Sequence, residues 1–599
     1  MIDTFPTMRD NICVVWKLLF LNSFRENQQK EVLMKEKRVK KWWLIRLALT
    51  IVGKKMLGEM TKASKNGKKS SADCLRRILT TSKNTVYGKE HHFDEILAAK
   101  TDDELFELYR KNVKINDYED LRPYIERHKN GEPDILFPGK PNFYATTSGT
   151  TKEPKWIPVT EQYYQEVYKK MNQGWFYTMI MNKPKVFYGY TVSIVGKAIE
   201  GAAPDGTVYG SISGVMQRDI PDFMKTIYAA PLEVSHITDY KARYYVIMRF
   251  GIEKDATLLL TANPSTLVEM QTNANEFFDD YCDDIEHGTI STKFPIPEDI
   301  RSSMMSFAKP NPKRAAELRK LKVRYGTVLP KHYWPNMQVV NVWFCGNTRI
   351  YYEKVRDSFP PDCVFHEFSY VSTECKAGLV LKSNTEETTV FAHKNYFEFI
   401  HESDLDNPNP KIYQVYELKE GQRYCMLVTT SSGLYRYNMT DLLDVSGYYN
   451  QFPMIRFIQK VNGTISLTGE KLHERQFIEA VHTVEKNTGK IAPFFVGFAD
   501  PQKSNYKFYY EFADQFISFS EAEEFTAQLD RCLQEYNPEY HEKRASNRLK
   551  APETAILQPE SFERFKAACI DRGYRDGQFK LNLLMQDEKR HAMFKELLK

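Results

Sequence analysis

No two cysteines in this chain stand at C-x-x-C spacing, and none clusters with histidine at metal-ligand spacing. The 9 cysteines are scattered and odd in number, which excludes a zinc ribbon or a disulfide framework and suits reduced thiols in a cytoplasmic setting. A dominant charge is also missing. Lys plus Arg number 83 against 78 Asp plus Glu, a net +5 over 599 residues, too slight a field to imply nucleic acid as a partner. No apolar run is long enough to cross a bilayer. Cys13 to Leu21 is interrupted by Lys17 and follows an acidic rather than basic start, so it is expected to be retained rather than cleaved as a signal peptide. Trp42 to Val52 is short, contains Arg46, and is flanked by basic runs at Lys35 to Lys41 and Lys54-Lys55. A helix of that kind can lie on an anionic membrane surface; the preferred reading is an amphipathic helix whose apolar side packs on the large domain. Internal repeats and low-complexity tracts are absent as well.

What is present is material for more than one core. The chain exceeds the size at which a single hydrophobic core stops growing, and 42% hydrophobic, 27% charged and 13% aromatic residues describe a chain that folds through most of its length. Helical spacing marks the stretch from Ser70 until Asn84 to Gly88 break it with a turn, and then Asp102 to Asn112, Thr160 to Tyr177 and Pro297 to Tyr325. Strand patterns mark Val186 to Val195, Leu258 to Thr261, Val339 to Phe344 and Cys363 to Phe368. Their alternation predicts an α/β large domain. A denser set of strand candidates, Val390 to His393, Phe397 to Ile400, Tyr413 to Leu418 and Tyr424 to Thr430, predicts a sheet-rich part ending at Thr430. The pattern changes near Lys460 to Gly469, after which Lys471 to Thr483, Phe494 to Ala499, Tyr506 to Phe512, Glu521 to Tyr536 and Pro559 to Ile570 read as a small α+β unit. The expected division is residues 1–69 as a basic helical extension, 70–460 as the large domain and 461–599 as a small C-terminal domain.

The most informative stretch is Tyr144-Ala-Thr-Thr-Ser-Gly-Thr-Thr-Lys-Glu-Pro-Lys-Trp-Ile-Pro158. Gly149 lets the backbone turn with positive φ, Ser148, Thr150 and Thr151 offer hydroxyls, and Lys155 adds a cation: the ingredients of a phosphate cradle. An ordinary polar turn uses the same residues. The run lacks the second glycine and the Lys-Ser/Thr pair of a P-loop. The helix beginning near Thr160 offers an N-terminus that could face phosphates. Further along, Ser372-Thr373-Glu374 pairs hydroxyls with a carboxylate suited to Mg²⁺, although Ser-Thr-Glu is equally a helix cap. Arg436 and Asp441, in Gly433-Leu-Tyr-Arg-Tyr-Asn-Met-Thr-Asp441, could address phosphate and ribose respectively, or form a surface ion pair of little worth.

In this order the motifs resemble those of the auxin-responsive acyl acid amido synthetases, the Gretchen Hagen family within the adenylate-forming superfamily. That family's pattern is a Ser/Thr-Ser-Gly-Thr motif, then Tyr-x-x-Ser-Glu-like residues, here Tyr370-Val-Ser-Thr-Glu374, then Tyr-Arg-x-x-x-Gly-Asp, here Tyr435 to Asp441. Gly469 to Glu474 and Gly577 to Lys580 add to the likeness, which runs from about Ser70 to Leu584. The resemblance implies a large N-terminal adenylate-forming domain of mixed sheets and helices and a small mobile α+β C-terminal domain. It implies ATP and Mg²⁺, with a small carboxylic acid and an amine, such as an amino acid, as substrates, in a monomeric cytoplasmic enzyme. By motif, Ser148, Gly149, Thr150, Thr151 and Lys155 hold phosphate, Ser372 and Thr373 line the nucleotide pocket, Glu374 ligates Mg²⁺ and Asp441 takes the ribose. Lys460, at the hinge, and Lys580 are the cations that visit the phosphates in one domain orientation. Two positions depart from the wider superfamily: Lys152 and Thr440 stand where glycine is usual. A thioester-forming ligase and a non-catalytic binding protein are the rival readings.

Overall fold

The computed structural model describes residues 42–146, 155–262, 264–345, 349–405, 407–461, 464–465, 467–468, 470, 472–500, 502–545, 549–571, 582–586 and 588–598. Helix α1 (Trp42–Ser64) opens it and packs along α2 (Lys170–Asn182). Its inner residues Ile45, Leu49, Met56 and Met60 enter the main core. Between these helices, strands β1 (Phe143–Thr146) and β2 (Trp156–Val159) form an antiparallel pair at one end of a four-stranded sheet. The helix predicted from Thr160 exists, but its residues Tyr164–Lys169 adopt π-helical hydrogen bonding before α2 begins.

The α/β part is built on β3 (Tyr190–Ile194), β4 (Ala256–Thr261), β5 (Val339–Asn341) and β6 (Val364–His366), adjacent in chain order and all parallel. All six residues of β4 are buried, as expected of a parallel strand covered on both faces, where a continuous apolar run replaces alternation. A second hydrophobic cluster, including Tyr245, Trp334 and Val340, fills one side of this sheet.

Seven antiparallel strands follow, in the order 412–414, β7 (Tyr396–His401), β8 (Arg423–Thr429), β9 (Tyr437–Tyr449), β10 (Phe452–Lys460), 388–390 and 378–380. The sheet therefore does not end at Thr430: its two longest strands lie beyond it. The alternating burial of β9 is interrupted at residues 441–443, the first of which, Asp441, belongs to the site described next. After Lys460, a third hydrophobic cluster draws its members from Ile465 to Leu597. It surrounds a four-stranded sheet centred on Phe494–Asp500 and Asn505–Glu511, with helices Glu474–Thr488 and Phe519–Tyr536 packed on each other. The whole is a mixed α/β fold. Among the described residues no helix is long and apolar enough to cross a membrane.

Candidate active site

In the pairing of β1 with β2, Phe143 lies opposite Val159 and Thr146 opposite Trp156. Residues 147–154 therefore join the strands at the Thr146–Trp156 end. Ser148, Gly149, Thr150, Thr151 and Lys152 fall outside the described residues. The register corrects one expectation. The helix starting after Thr160 leaves from the other end of β2, about 10 Å from that loop at a strand rise of about 3.3 Å per residue. Its N-terminus is capped by the chain itself, with Thr160 Oγ1 accepting from Tyr163 N at 3.1 Å.

Lys155 Nζ donates to Tyr437 Oη at 3.1 Å and lies 5.7 Å and 5.8 Å from the ring centroids of Tyr118 and Tyr437. Tyr437 opens β9, four residues before Asp441. The flank of the first motif and the third motif thus meet.

The second motif reaches the same place. The Tyr370 hydroxyl donates to Asp441 Oδ2. Burial, then the charge of Asp441, push this phenol far above its ordinary value, so it serves as a neutral donor. Asp441 itself is buried. Beyond Tyr370 the chain makes a tight turn closed by a bridge between Val371 and Lys376. Ser372 N donates to Cys375 O at 2.9 Å and Cys375 N to Ser372 Oγ at 3.2 Å. Ser-Thr-Glu is therefore a turn and not a helix cap. Tyr168, from the π-helical stretch, donates to Thr373 O at 3.5 Å; π segments recur at functional sites. The half-buried Glu374 stands among these phenols. Its charge adds to desolvation in raising Tyr437, Tyr370 and Tyr168.

All of this lies just past the carboxyl end of β6, the end at which open parallel sheets receive ligands. The loops after neighbouring strands are knitted together there. Phe344 N donates to Glu367 Oε2 at 2.7 Å and Trp343 N to Ala262 O at 3.0 Å. Burial pushes the Glu367 carboxyl well above the usual carboxylate range.

Arg436 is a second correction. Rather than turning towards phosphate, its guanidinium is buried and donates to Glu398 Oε2 at 2.8 Å and to Val113 O at 2.8 Å. Glu398 Oε1 accepts from Arg110 Nε at 3.0 Å. The arginine holds the fold together behind the site. Thr440, at φ 53°, occupies the left-handed region, which explains why glycine is usual there. Lys460 ends β10 as the register partner of Asp441; its side chain, and all of Lys580, lie outside the described residues.

The sequence reading passed over Lys376 and Tyr437. Lys376 is 4% exposed; its Nζ donates to Asn172 Oδ1 and lies 5.5 Å from the Trp175 ring, both on α2. Desolvation lowers its pKa to about 7. The available signal was its setting, a lone cation leading into Ala377-Gly-Leu-Val-Leu381.

Three family models match the chain in order: the GH3 family N-terminal domain over residues 56–364, the central domain over 388–460 and the C-terminal domain over 475–589. The indole-3-acetic acid-amido synthetase GH3.3 of Arabidopsis thaliana is 23% identical over 541 residues, covering 85% of this chain and 87% of that one. GH3.5 of the same plant is 25% identical over 583 residues, covering 89% and 91%. Among solved structures, a GH3.15 acyl acid amido synthetase superposes with a TM-score of 0.78 at 19% identity over 91% of this chain and 96% of that one. A 2-hydroxyisobutyryl-CoA ligase gives 0.52 at 10% identity over 88% and 91%. These likenesses carry the adenylate-forming fold.

Proposed function

The chain belongs to the GH3 family, and from that premise we propose that it is an ATP-dependent acyl acid amido synthetase joining a small carboxylic acid to an amine, most simply an amino acid. The observation that carries this reading is the meeting of Lys155, Glu374 and the Tyr370–Asp441 pair beside the carboxyl end of β6. Segments distant in sequence supply one cation, one half-buried carboxylate and one buried carboxylate with its orienting phenol.

In the proposed reaction a carboxylate oxygen of the acid attacks the α-phosphorus of ATP and pyrophosphate leaves. The amine nitrogen then attacks the acyl carbon of the adenylate, and AMP leaves with its electron pair while the amine loses a proton. The protein's task is alignment and neutralisation of charge rather than covalent participation. Lys155, with Ser148, Gly149, Thr150 and Thr151, takes the triphosphate; Ser372 and Thr373 line the nucleotide; Asp441, steadied by Tyr370, takes the ribose. Among the described residues no three His, Cys, Asp or Glu side chains gather at metal distance. A single carboxylate, Glu374, fits Mg²⁺, an ion usually held by one or two carboxylates with phosphate oxygens and water. That ion, when bound, neutralises phosphate charge.

The test is a panel of small acids and amino acids with ATP, read by pyrophosphate release and by the mass of the conjugate. Acid-dependent pyrophosphate release together with an amide product is expected. A product formed only with coenzyme A overturns the amide step and keeps the adenylation; no acid-dependent release overturns both.

A further inference from the structure

Helix α1 is apolar on two opposite sides. Ile45, Leu49, Met56 and Met60 face the core. Trp43, Leu44, Leu47 and Ile51 face outward and are 53%, 41%, 47% and 52% exposed. At about 100° per residue the outer set spans an arc of about 100°, centred about 180° from the inner set. The helix is thus not the simple amphipathic element expected from its sequence. A helix apolar all round is normally buried all round, and this one is not.

The chemistry around the outer stripe says what covers it. Lys54 and Lys55 continue the same side one turn on. The sequence just before the helix, Lys35 to Lys41, holds five basic residues against one acid. On the flank between the two sides, Arg46 Nη1 donates to Tyr188 Oη at 2.9 Å, and Tyr188 is 46% exposed. Tryptophan, tyrosine and leucine bounded by cations at both ends suit the headgroup level of a bilayer. A second copy of the chain suits it poorly in a parallel isologous pairing, which sets Lys54 and Lys55 against their own copies.

We propose that the outer face of α1 is a contact for an anionic membrane surface, with Trp43, Leu47 and Ile51 entering the boundary between headgroups and acyl chains and Arg46, Lys54 and Lys55 at the phosphates. The inference does not depend on the enzymatic reading. The full chain is sedimented with vesicles of phosphatidylcholine alone and of phosphatidylcholine with phosphatidylserine. Binding to the anionic vesicles is expected, weakening as salt rises from about 0.1 M to about 0.5 M because the charges are exposed. The double variant Leu47→Ser/Ile51→Ser should lose about tenfold or more in binding with an unchanged melting temperature, since both side chains are half exposed. Lys54→Gln/Lys55→Gln should flatten the salt dependence. Three results overturn the proposal: no binding to anionic vesicles, equal binding by the Leu47/Ile51 variant, or light scattering that shows a dimer dissociated by that variant without vesicle binding.

Discussion

Glu374 and Lys376 are two positions apart and meet opposite surroundings, one half in solvent and one buried against Asn172 and Trp175. Glu374→Gln keeps size and hydrogen bonding while removing the charge proposed to hold Mg²⁺. It should cut acid-dependent pyrophosphate release about a hundredfold or more with the melting temperature unchanged, and an active variant would remove Glu374 from the site. Lys376 has a stability signature with a defined sign. Its folded pKa, about 7, lies below its ordinary 10.5, so between these values the unfolded chain binds the extra proton and stability rises with pH. The penalty is full below pH 7 and is relieved as pH climbs to 10.5, by roughly 1.4 kcal/mol per pH unit. Lys376→Met, which removes the titration, should be the more stable form in urea at pH 7, with the gap closing towards pH 10. Parallel curves would count against a desolvated ammonium. At Thr440 the strain is in the backbone: a β-branched residue at φ 53° costs about 1–3 kcal/mol. Thr440→Gly relieves it and should raise stability by about 1 kcal/mol in a denaturant titration.

Among the elements, the tie that positions the site is Glu398 on β7, which receives Arg110 from helix Asp102–Asn112 and Arg436 from the start of β9. Removing the carboxylate's charge strands Arg436 in the interior. Glu398→Gln should therefore destabilise the protein by about 3–5 kcal/mol, read as a lowered urea midpoint; a loss below about 1 kcal/mol would mean water reaches the arginine. The same network shows what the sequence could and could not convey. Strands with clean apolar runs, β4, β7 and β8, were legible, and so was the order of the three motifs. Strands β9 and β10 were not: the buried Asp441 and a shift of register between Leu442 and Leu443 interrupt the alternation of β9. The helix after Thr160 was found, but its N-terminus was aimed at the loop because Trp156–Val159 was not recognised as a strand. Pro158 argues against a strand in general, yet β2 lies at the end of its sheet, where proline's missing N–H does no harm. Arg436 could not be placed from its neighbours, since its partner lies 38 residues away.

For the molecule as a whole, the main core ends at Ile455 and the third begins at Ile465. Among the described residues the interval between them contributes no buried side chain to either core, and such a junction is where a swivel between two units costs least. Lys460 lies in that interval as the last residue of β10, directly across the ladder from Asp441, so a turn about this point acts next to the proposed ribose position. We propose that the hinge of the two half-reactions lies here, with a kinetic consequence for the far side of the hinge. If Lys580 meets the phosphates in only one orientation, it serves the step that expels pyrophosphate and is idle when the amine attacks. Lys580→Ala should then reduce acid-dependent pyrophosphate release by about a hundredfold while amide formation from supplied acyl-adenylate falls by less than about threefold. Lys460→Ala, beside the pivot, should slow both steps. Equal losses in both half-reactions for Lys580→Ala would mean that the lysine stays at the site throughout, and that the C-terminal unit does not alternate.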